Sequence, residues 1–252
     1  MRLRFLKALL RRFGVIAFKR STGIYLPEDE MPQLVQRLCD KPAPVVVDGG
    51  AHLGDFVHAI RSRVPEARFV CFEPDPELSA GLGAAFAGDA SVTVVAAALG
   101  DKPGRAQFHL NQSRATNSLL AGTAQNTGAL RELVATQTMV DVEVTTLDAA
   151  LERSGHTHVD IIKLDLQGYD YLALKGATRA LQTASVVVCE VWFAPVYEGA
   201  AEYLEVCTWM REQGFALYAL TSLHYGRNDR LLWGDAVFVP RTSPAMLAPI
   251  TH

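Results

Sequence analysis

The stretch that decides the fold is Val45-Val-Val-Asp-Gly-Gly-Ala-His-Leu-Gly-Asp55, in which three β-branched residues lead into an aspartate and a glycine-rich turn. β-branched runs favour strands, and a glycine-rich turn directly after a strand is typical of nucleotide-binding α/β domains. Such domains bind ligands outside the carboxyl ends of their strands. The sequence therefore predicts a ligand site on this turn.

Apolar runs alternate with helical patterns on both sides of this stretch. Runs that are almost continuously apolar are typical of strands covered on both faces, and their alternation with helices indicates a parallel sheet. We therefore predict an α/β fold with a mostly parallel, doubly wound sheet of about seven strands and helices on both faces. After Val45–Asp48, the predicted strands are Arg68–Phe72, Val92–Ala97, Ile161–Asp165, Val186–Glu190, Phe215–Leu220 and Ala236–Pro240. The predicted helices run from about Asp55 to Val64, Pro76 to Phe86, Tyr169 to Leu181 and Ala200 to Gln213.

The region between residues 99 and 147 departs from this alternation. Gln107–Leu110 alternates like an edge strand, and Asn111–Thr127 is rich in Ser, Thr, Asn and Gly. A long polar segment inside a compact domain is usually an active-site loop or a disordered one. The sequence leaves both alternatives open, and also whether Arg114–Ser118 contacts a substrate or is solvated.

The composition argues against several classes of protein. A net charge of −3 is unlike the basic face of a nucleic-acid-binding protein. No apolar run approaches the roughly 18–20 residues of a membrane-spanning helix. The 4 cysteines form no Cys-x-x-Cys pair, which favours buried thiols in a reducing compartment. We expect a cytoplasmic protein that does not bind nucleic acid.

The glycine turn differs from a dinucleotide-binding turn because an acid precedes it. Asp48 would repel a pyrophosphate, whereas it suits a ligand with ammonium or hydroxyl groups, such as S-adenosylmethionine. Glu73 ends the second predicted strand, where a carboxylate accepts hydrogen bonds from the ribose of an adenosine ligand. NAD has the same ribose, so Glu73 alone does not separate these two cofactors. The simpler alternatives are a turn that needs glycine only for its backbone and a solvated carboxylate at a strand end.

Six sequence blocks occur in a characteristic order along the chain. They are VVVDGGAHLGDF, FVCFEPDPE, AAALGDKPG, VTTLDAAL, DIIKLDLQGYDYLALKGATRAL and VVVCEVWF. Together they resemble the FkbM-type methyltransferases over roughly residues 42–195, with a weaker similarity to about residue 240. The resemblance implies a class I (Rossmann-like) methyltransferase fold, S-adenosylmethionine as cofactor, and methyl transfer to hydroxyl groups, often on sugars or secondary metabolites.

By position, the resemblance assigns parts of the chain to parts of the cofactor. Asp48–Gly54 would shape the methionine pocket, Glu73 would bind the ribose, and Ala97–Gly100 would lie near the adenine. Family members often carry an asparagine before the alanine–leucine pair, where this chain has Ala96–Ala97, so polar recognition of adenine stays open. The complete set of predicted cofactor-binding residues is Asp48, Gly49, Gly50, Ala51, Gly54, Glu73, Pro74, Ala98, Leu99 and Asp165.

Two charged residues on the fourth predicted strand are candidates for the chemistry. Lys163 and Asp165 are two positions apart, so their side chains point to the same face of the sheet. A lysine in an apolar run needs a partner, for which Asp165 or Glu190 is available. A purely structural ion pair is the alternative. Asp165 and Glu190 end adjacent strands and could also hold Mg²⁺ through oxygen ligands.

Methyl transfer to a hydroxyl also requires a general base. His224 lies in a polar connection predicted over residues 221–234, His52 lies in the glycine turn, and His109 lies on the predicted edge strand. A histidine with a pKa near its ordinary value of about 6.5 suits this task. Asp165 is the alternative base. We take Lys163, Asp165 and His224 as the candidate catalytic residues.

Residues 1–40 are predicted to form a basic, helical N-terminal segment ahead of a catalytic domain at residues 41–252. Within Met1–Arg20, apolar residues recur at helical spacing among basic ones. Such a helix either packs on the domain or contacts an anionic membrane surface or a partner.

The predicted function is S-adenosylmethionine-dependent O-methyl transfer to a small hydroxylated acceptor, such as a sugar, a glycolipid or a secondary metabolite. The fourth strand ends in Asp165-Leu-Gln-Gly, unlike the Asn/Asp-Pro-Pro-Tyr/Phe cluster of amino-methylating enzymes. An NAD-dependent oxidoreductase and a non-catalytic cofactor-binding module are the alternatives. The sequence predicts no oligomeric state.

Overall fold

The computed structural model describes residues 18–20, 23–25, 30–226 and 229–248. In chain order its strands are β1 (Phe18–Arg20), β2 (Gly23–Tyr25), β3 (Val45–Gly49), β4 (Arg68–Phe72), β5 (Val92–Val95), β6 (Ala98–Leu99), β7 (Gly104–Asn111), β8 (Thr136–Thr145), β9 (Ile161–Leu164), β10 (Val186–Trp192), β11 (Phe215–Tyr225) and β12 (Leu231–Pro240). Its helices are α1 (Glu30–Leu38), α2 (Asp55–Arg61), α3 (Pro76–Ala85), α4 (Gly128–Leu133), α5 (Leu147–Arg153), α6 (Asp170–Lys175), α7 (Thr178–Leu181), α8 (Tyr203–Glu212) and α9 (Pro244–Leu247).

A seven-stranded sheet forms the centre of the fold, in the order β11-β12-β10-β9-β3-β4-β5. β12 is antiparallel to both of its neighbours, and the other neighbouring pairs are parallel. This confirms the predicted mostly parallel, doubly wound sheet of about seven strands. The chain order reverses between β3 and β9, and sheets of this kind bind ligands at such a switch point.

Both faces of the sheet are buried, which explains the nearly continuous apolar strands. Val46 points into one hydrophobic cluster and Val47 into another, because successive residues of a strand face opposite sides. Helices α1, α2 and α3 cover the face of Val46, and α5, α6, α7 and α8 cover the face of Val47. The predicted helices on both faces are thus confirmed.

A second sheet of three strands has the order β6-β8-β7. The edge strand predicted at Gln107–Leu110 is confirmed as part of β7, which pairs antiparallel with β8. The sequence does not predict β8, because its first half is mostly exposed and has no apolar run. The third predicted strand ends at Val95 instead of Ala97, since the chain there leaves the large sheet and enters β6.

Two predicted boundaries near the C-terminal half are wrong. Residues 221–225 and 231–234 belong to β11 and β12, which pair as a long antiparallel hairpin, where a polar connection was expected. Polar and apolar residues alternate along antiparallel strands with one solvated face, which made this region resemble a loop. The helix predicted over Tyr169–Leu181 divides at Gly176, where a Cβ would lie 2.1 Å from the carbonyl oxygen of Gly100.

Most of the helix predicted within Met1–Arg20 lies outside the described residues. Its last three residues, Phe18–Arg20, are extended and pair with β2. Helix α1 packs on the core through Leu34 and Val35, and a domain boundary at residue 40 stays a prediction. In the described part of the chain, no helix is both long enough and apolar enough to span a bilayer.

Candidate active site

A cavity of about 410 Å³ opens at the switch point of the large sheet. Its wall includes Gly50 after β3, Glu73 after β4, Ala98 in β6 and Asp165 after β9, and Ser222 of β11 closes another side. Doubly wound sheets bind their ligands at these strand ends. The cavity is therefore the candidate active site.

The turn after β3 fits tightly against the chain that follows β9. Gly50 has a φ of +70°, and a Cβ there would lie 2.1 Å from the carbonyl oxygen of Asp165. The N–H groups of Gly50 and Ala51 both donate to the carbonyl oxygen of Phe72 at 3.0 Å, which ties the turn to β4. Only glycine fits at position 50, because it tolerates positive φ and has no side chain.

Two of the predicted cofactor-binding glycines lie outside the described cavity wall. A Cβ on Gly49 would lie 2.8 Å from Leu164, and one on Gly54 would lie 2.9 Å from Phe86. Gly54 also has a φ of +86°. Both glycines therefore support the turn from behind, while the predicted Asp48, Gly50, Ala51, Glu73, Pro74, Ala98, Leu99 and Asp165 line the cavity.

Glu73 is held in place by the main chain. Its Oε2 accepts the N–H of His52 at 2.8 Å, and its Oε1 accepts the N–H of Asp75 at 2.9 Å. The side chain is buried, which raises the pKa of Glu73, although the two backbone hydrogen bonds oppose that shift. Each carboxylate oxygen keeps acceptor capacity on the cavity side, so Glu73 can accept a pair of hydroxyl groups.

Lys163 pairs most closely with Asp48, which the sequence did not predict, and also lies near the expected partner Asp165 but forms no ion pair with Glu190 among the described residues. Asp48 lies beside Lys163 in the register of β3 and β9, and its Oδ1 is 3.0 Å from Nζ, whereas Asp165 Oδ2 is 4.0 Å away. Burial lowers the pKa of Lys163, but the charges of Asp48 and Asp165 outweigh it and hold the pKa above its ordinary value. Lys163 is therefore charged, and it also donates to the carbonyl oxygen of Gly50 at 3.2 Å.

Asp48 is fully buried behind the glycine turn. Burial raises the pKa of Asp48, although Lys163 opposes the shift. Neither carboxylate oxygen has a hydrogen-bond partner of good geometry among the described residues. Since Asp48 belongs to the cavity wall, it retains acceptor capacity for a donor group bound there.

The amide of Gln167 joins Asp165 to Glu190. Its Nε2 donates to Asp165 Oδ1 at 2.8 Å and to Glu190 Oε2 at 3.2 Å. An amide group thus occupies the place between the two carboxylates where Mg²⁺ was expected. Among the residues the structure describes, no group of three or more His, Cys, Asp or Glu is arranged to hold a metal ion. The structure does not support the expected Mg²⁺ site.

Three further carboxylates lie near Asp165, and burial makes each of them hard to ionise. Burial raises the pKa of Asp170 to about 7, with Asp165 adding to the shift. Burial also raises the pKa of Glu190 well above its ordinary value, and that of Asp235, which faces Glu190 across β10 and β12, to about 6. The side chain of Asp165 is 44% exposed and lines the cavity, so Asp165 is the most accessible of these four carboxylates.

The candidate histidines lie in different surroundings. His52 lines the cavity. His224 lies outside the described wall and stacks on Trp233 with ring centroids 4.7 Å apart, and its partial burial lowers its pKa below the ordinary value. His109 is also outside the described wall, with Nδ1 3.1 Å from Thr136 Oγ1. Asp165 is therefore better placed than His224 or His109 to act as a base in the cavity.

Backbone strain is concentrated at the cavity. Four non-glycine residues of the described chain have positive φ, and three of them line the cavity: His52 at 49°, Gln167 at 53° and Ser222 at 48°. Such conformations cost on the order of 1–3 kcal/mol each and persist only where the surroundings enforce them. Their clustering marks the cavity as a functional site.

The polar segment that could have been a loop or disordered is an ordered wall of the cavity. Asn117 Nδ2 donates to Asp75 Oδ2 at 3.1 Å, and Arg114 lies 3.5 Å from the same oxygen and also pairs with Glu77. The other oxygen of Asp75 caps α3 by accepting the N–H of Glu77 at 2.9 Å. Arg114, Ala115 and Asn117 line the cavity, which agrees with the active-site-loop alternative.

Several residues in the cavity wall or directly behind it are not predicted from the sequence. Gln167 and Asp170 lie in the same quoted block as Asp165, and the φ values of Gln167 and Gly168 are both positive. Their roles depend on contacts with Tyr197 and Glu190, which no sequence spacing reveals. Ser222 was missed because its strand was taken for a loop.

The doubly wound sheet with one antiparallel strand, together with the acid-lined cavity at its switch point, has the architecture of a class I, Rossmann-like methyltransferase. The fold is similar to the crystal structure of an FkbM methyltransferase from Methylobacillus flagellatus KT, with a TM-score of 0.51 and 16% identity, over 79% of this chain and 44% of that one. This chain belongs to the FkbM methyltransferases, since the model of the methyltransferase FkbM domain matches residues 48–217. It spans less than half the length of the Methylobacillus protein.

One curated relative is named for an enzymatic activity. The 2-O-methyltransferase NoeI of Sinorhizobium fredii (strain NBRC 101917 / NGR234) is 26% identical over 186 residues, which cover 71% of this chain and 76% of the relative. The family match and this relative establish the methyltransferase class and confirm the resemblance read from the sequence blocks.

Proposed function

We propose that the protein is an S-adenosylmethionine-dependent O-methyltransferase acting on a hydroxyl group of a small acceptor such as a sugar, a glycolipid or a secondary metabolite. The charge of the cavity wall carries this proposal. Acids outnumber cations there, and both cations are already paired with acids. Such a wall favours a cationic, hydroxyl-bearing ligand and disfavours the pyrophosphate of NAD. The acids are Asp48, Asp55, Glu73 and Asp165, and the cations are Lys163 and Arg114.

The residues of the wall fit the parts of this cofactor. Glu73, fixed by two main-chain N–H groups, accepts the two ribose hydroxyls. Asp48 is buried and has no good hydrogen-bond partner among the described residues. It accepts a hydrogen bond from the amino group of the methionine part of the cofactor. Ala98, Leu99 and Phe108 supply apolar surface for the adenine. When bound, S-adenosylmethionine supplies a methyl group on a positively charged sulfur, which keeps the electron pair of the broken carbon–sulfur bond.

The proposed base is Asp165. Its half-exposed carboxylate lines the cavity and takes the proton that the acceptor hydroxyl loses as the oxygen is methylated. A base of this kind contributes about 10²–10⁴-fold to the rate. Lys163 lies 3.0 Å from Asp48 and 4.0 Å from Asp165, so its positive charge partly offsets the negative charges beside the cavity.

Transfer to oxygen is supported by the relative named 2-O-methyltransferase. The end of β9 supports the same choice, because Asp165-Leu-Gln-Gly lacks the proline-rich cluster of amino-methylating enzymes. We do not propose a metal for this reaction, since the amide of Gln167 bridges the two carboxylates of the expected site.

The proposal is tested in two steps. Calorimetric titration should give binding of S-adenosylmethionine and none of NAD, and the opposite result would overturn the proposal in favour of an oxidoreductase. Methyl-labelled cofactor should then label a hydroxylated compound in acceptor mixtures of sugars and glycolipids.

Asp165→Asn should lower turnover by at least about 100-fold and leave the cofactor Kd within about threefold, whereas Asp141→Asn, at an exposed acid of β8, should leave both unchanged. Tight binding without any labelled product would favour a non-catalytic module.

A further inference from the structure

Gln167 makes more specific contacts than a loop residue needs. Its Nε2 reaches Asp165 and Glu190, its Oε1 accepts the hydroxyl of Tyr197 at 2.8 Å, and its carbonyl oxygen accepts the hydroxyl of Ser118 at 2.8 Å. These contacts hold the residue at a φ of +53°, where a side chain other than glycine is strained. The surroundings therefore force Gln167 into one position.

Tyr197 determines which way the amide faces. Its hydroxyl lies 2.8 Å from Gln167 Oε1 and 3.0 Å from the carbonyl oxygen of Thr116, and its single proton is shared between these two acceptors. The ring is buried and packs edge-on against Trp192 with centroids 5.2 Å apart, so the hydroxyl is fixed. With Oε1 committed to Tyr197, the two hydrogens of Nε2 must point at the carboxylates of Asp165 and Glu190.

We propose that Gln167 and Tyr197 are positioning residues that aim the Asp165 carboxylate at the acceptor hydroxyl. This inference rests on the proposed function, in which Asp165 is the base. The amide occupies Oδ1 of Asp165, while Oδ2 faces Lys163 at 4.0 Å and the cavity. We call Gln167 and Tyr197 together the clamp. The clamp leaves one oxygen of Asp165 to receive the proton, in one fixed orientation. Rigid placement of a reacting group is a substantial part of catalysis.

The charged and titratable groups around the clamp come from every element packed against it. They are Lys163 on β9, Asp48 on β3, Asp170 on α6, Glu190 on β10, His224 on β11, Asp235 on β12, and Tyr197. Lys163 is the lysine among these groups, and it already forms an ion pair with Asp48. A second carboxylate at position 167 would therefore lack a cation and would compete with Asp165 and Glu190 for protons.

The first test observes the clamp without any reaction. Side-chain ¹⁵N-glutamine labelling, with Gln167→Leu to assign the signal, should show two separate Gln167 amide protons that exchange slowly with water. Tyr197→Phe and Asp165→Asn should each shift or average these signals. Gln107→Glu, at an exposed glutamine of β7 that donates to Asp141, should leave these signals in place.

The second test measures turnover against pH in the full-length protein. Gln167→Glu has the size of the native residue but loses the donor, and should lower kcat by about tenfold and move the acid limb of the kcat profile upward by about one pH unit. Tyr197→Phe should lower kcat with the same KM for the cofactor. Gln107→Glu, at an exposed glutamine of β7 whose Nε2 donates to Asp141, should keep the wild-type profile. A purely structural role would lower stability without moving the limb.

The outcomes separate this inference from the proposed function. Amide signals that average freely in the wild type, or that ignore Asp165→Asn, would overturn the clamp regardless of activity. If Gln167→Glu and Tyr197→Phe both keep the wild-type kcat profile against pH, the clamp is overturned and the proposed methyl transfer is not affected. Failure of the wild type to bind S-adenosylmethionine would instead overturn the proposed function, and the amide signals would still decide whether the clamp exists.

Discussion

The proposed ribose end of the cavity, around Glu73, and the proposed acceptor end, around Asp165, are built in different ways. At the ribose end, Glu73 is held by main-chain N–H groups of His52 and Asp75, which lie close to it in the chain. At the acceptor end, Asp165 is held by side chains, and the partners of those side chains come from distant segments. The first arrangement depends on local backbone geometry. The second depends on buried charges and amides, so it is the more easily broken by single substitutions and by pH.

The largest expected effect comes from removing the buried cation of the acceptor end. Lys163→Met leaves Asp48 fully buried without its partner. Removing one member of a buried ion pair costs about 3–5 kcal/mol. We expect this loss of unfolding free energy in denaturant titrations at pH 8, and a smaller loss at pH 5, where Asp48 can be neutralised by a proton.

Lys41→Met is the matched control for this substitution. Lys41 also pairs with a buried aspartate, Asp160, but its own side chain is 50% exposed. Asp160 keeps the N–H of Val45 at 2.8 Å when the lysine is lost. The control should cost about 1 kcal/mol or less. Equal losses in the two variants would show that the acceptor end has no special dependence on its buried cation.

The second expected effect is on the pH dependence of stability. The pKa of Asp170 is raised by burial to about 7 in the folded chain, against about 3.9 in an unfolded one. Between these pH values the folded state binds this proton more tightly, so stability falls as pH rises from about 4 to about 7. Asp170→Asn should reduce this slope, by up to about 1.4 kcal/mol per pH unit. Asp141→Asn, at an exposed acid, should leave the slope unchanged, and a slope insensitive to Asp170→Asn would contradict the buried, proton-binding acceptor end.

The same difference determines how much the sequence could predict. The glycine turn, Glu73 and the parallel sheet follow from short-range patterns, because a strand, a turn and a helix are adjacent in the chain. The partner of Lys163 could not be read in this way, since Asp48 lies beside it only through the register of β3 and β9. Likewise, Gln167 meets Tyr197 only because the chain returns to the cavity after β10. Side-chain networks between distant segments leave no spacing signal.

A further part of the site could not be predicted because its strands mix polar and apolar residues. β8 and the hairpin of β11 and β12 have exposed faces, so their strands carry polar residues that resemble loop sequence. The polar segment before α4 has the composition of a disordered loop, yet hydrogen bonds to Asp75 order it. A few buried side chains make the contacts that order this segment, and the amino-acid composition does not reveal those contacts.

The smallest expected effect lies in the link between this polar segment and the ribose end. Arg114 pairs with Asp75 and Glu77 at the surface, whereas Asn117 donates to the same buried Asp75 and accepts the N–H of Asn111 at 2.8 Å. Exposed ion pairs contribute little, so Arg114→Met should change the S-adenosylmethionine Kd by less than about threefold. Asn117→Ala removes two buried hydrogen bonds and should weaken binding by about tenfold.

Titration calorimetry at two salt concentrations distinguishes the effects of the two substitutions, because only a contribution from the Arg114 charge would decrease with added salt. A larger loss from Arg114→Met than from Asn117→Ala would mean that surface charge orders the segment, and the ribose end would then depend on ionic strength in a way that its main-chain contacts do not.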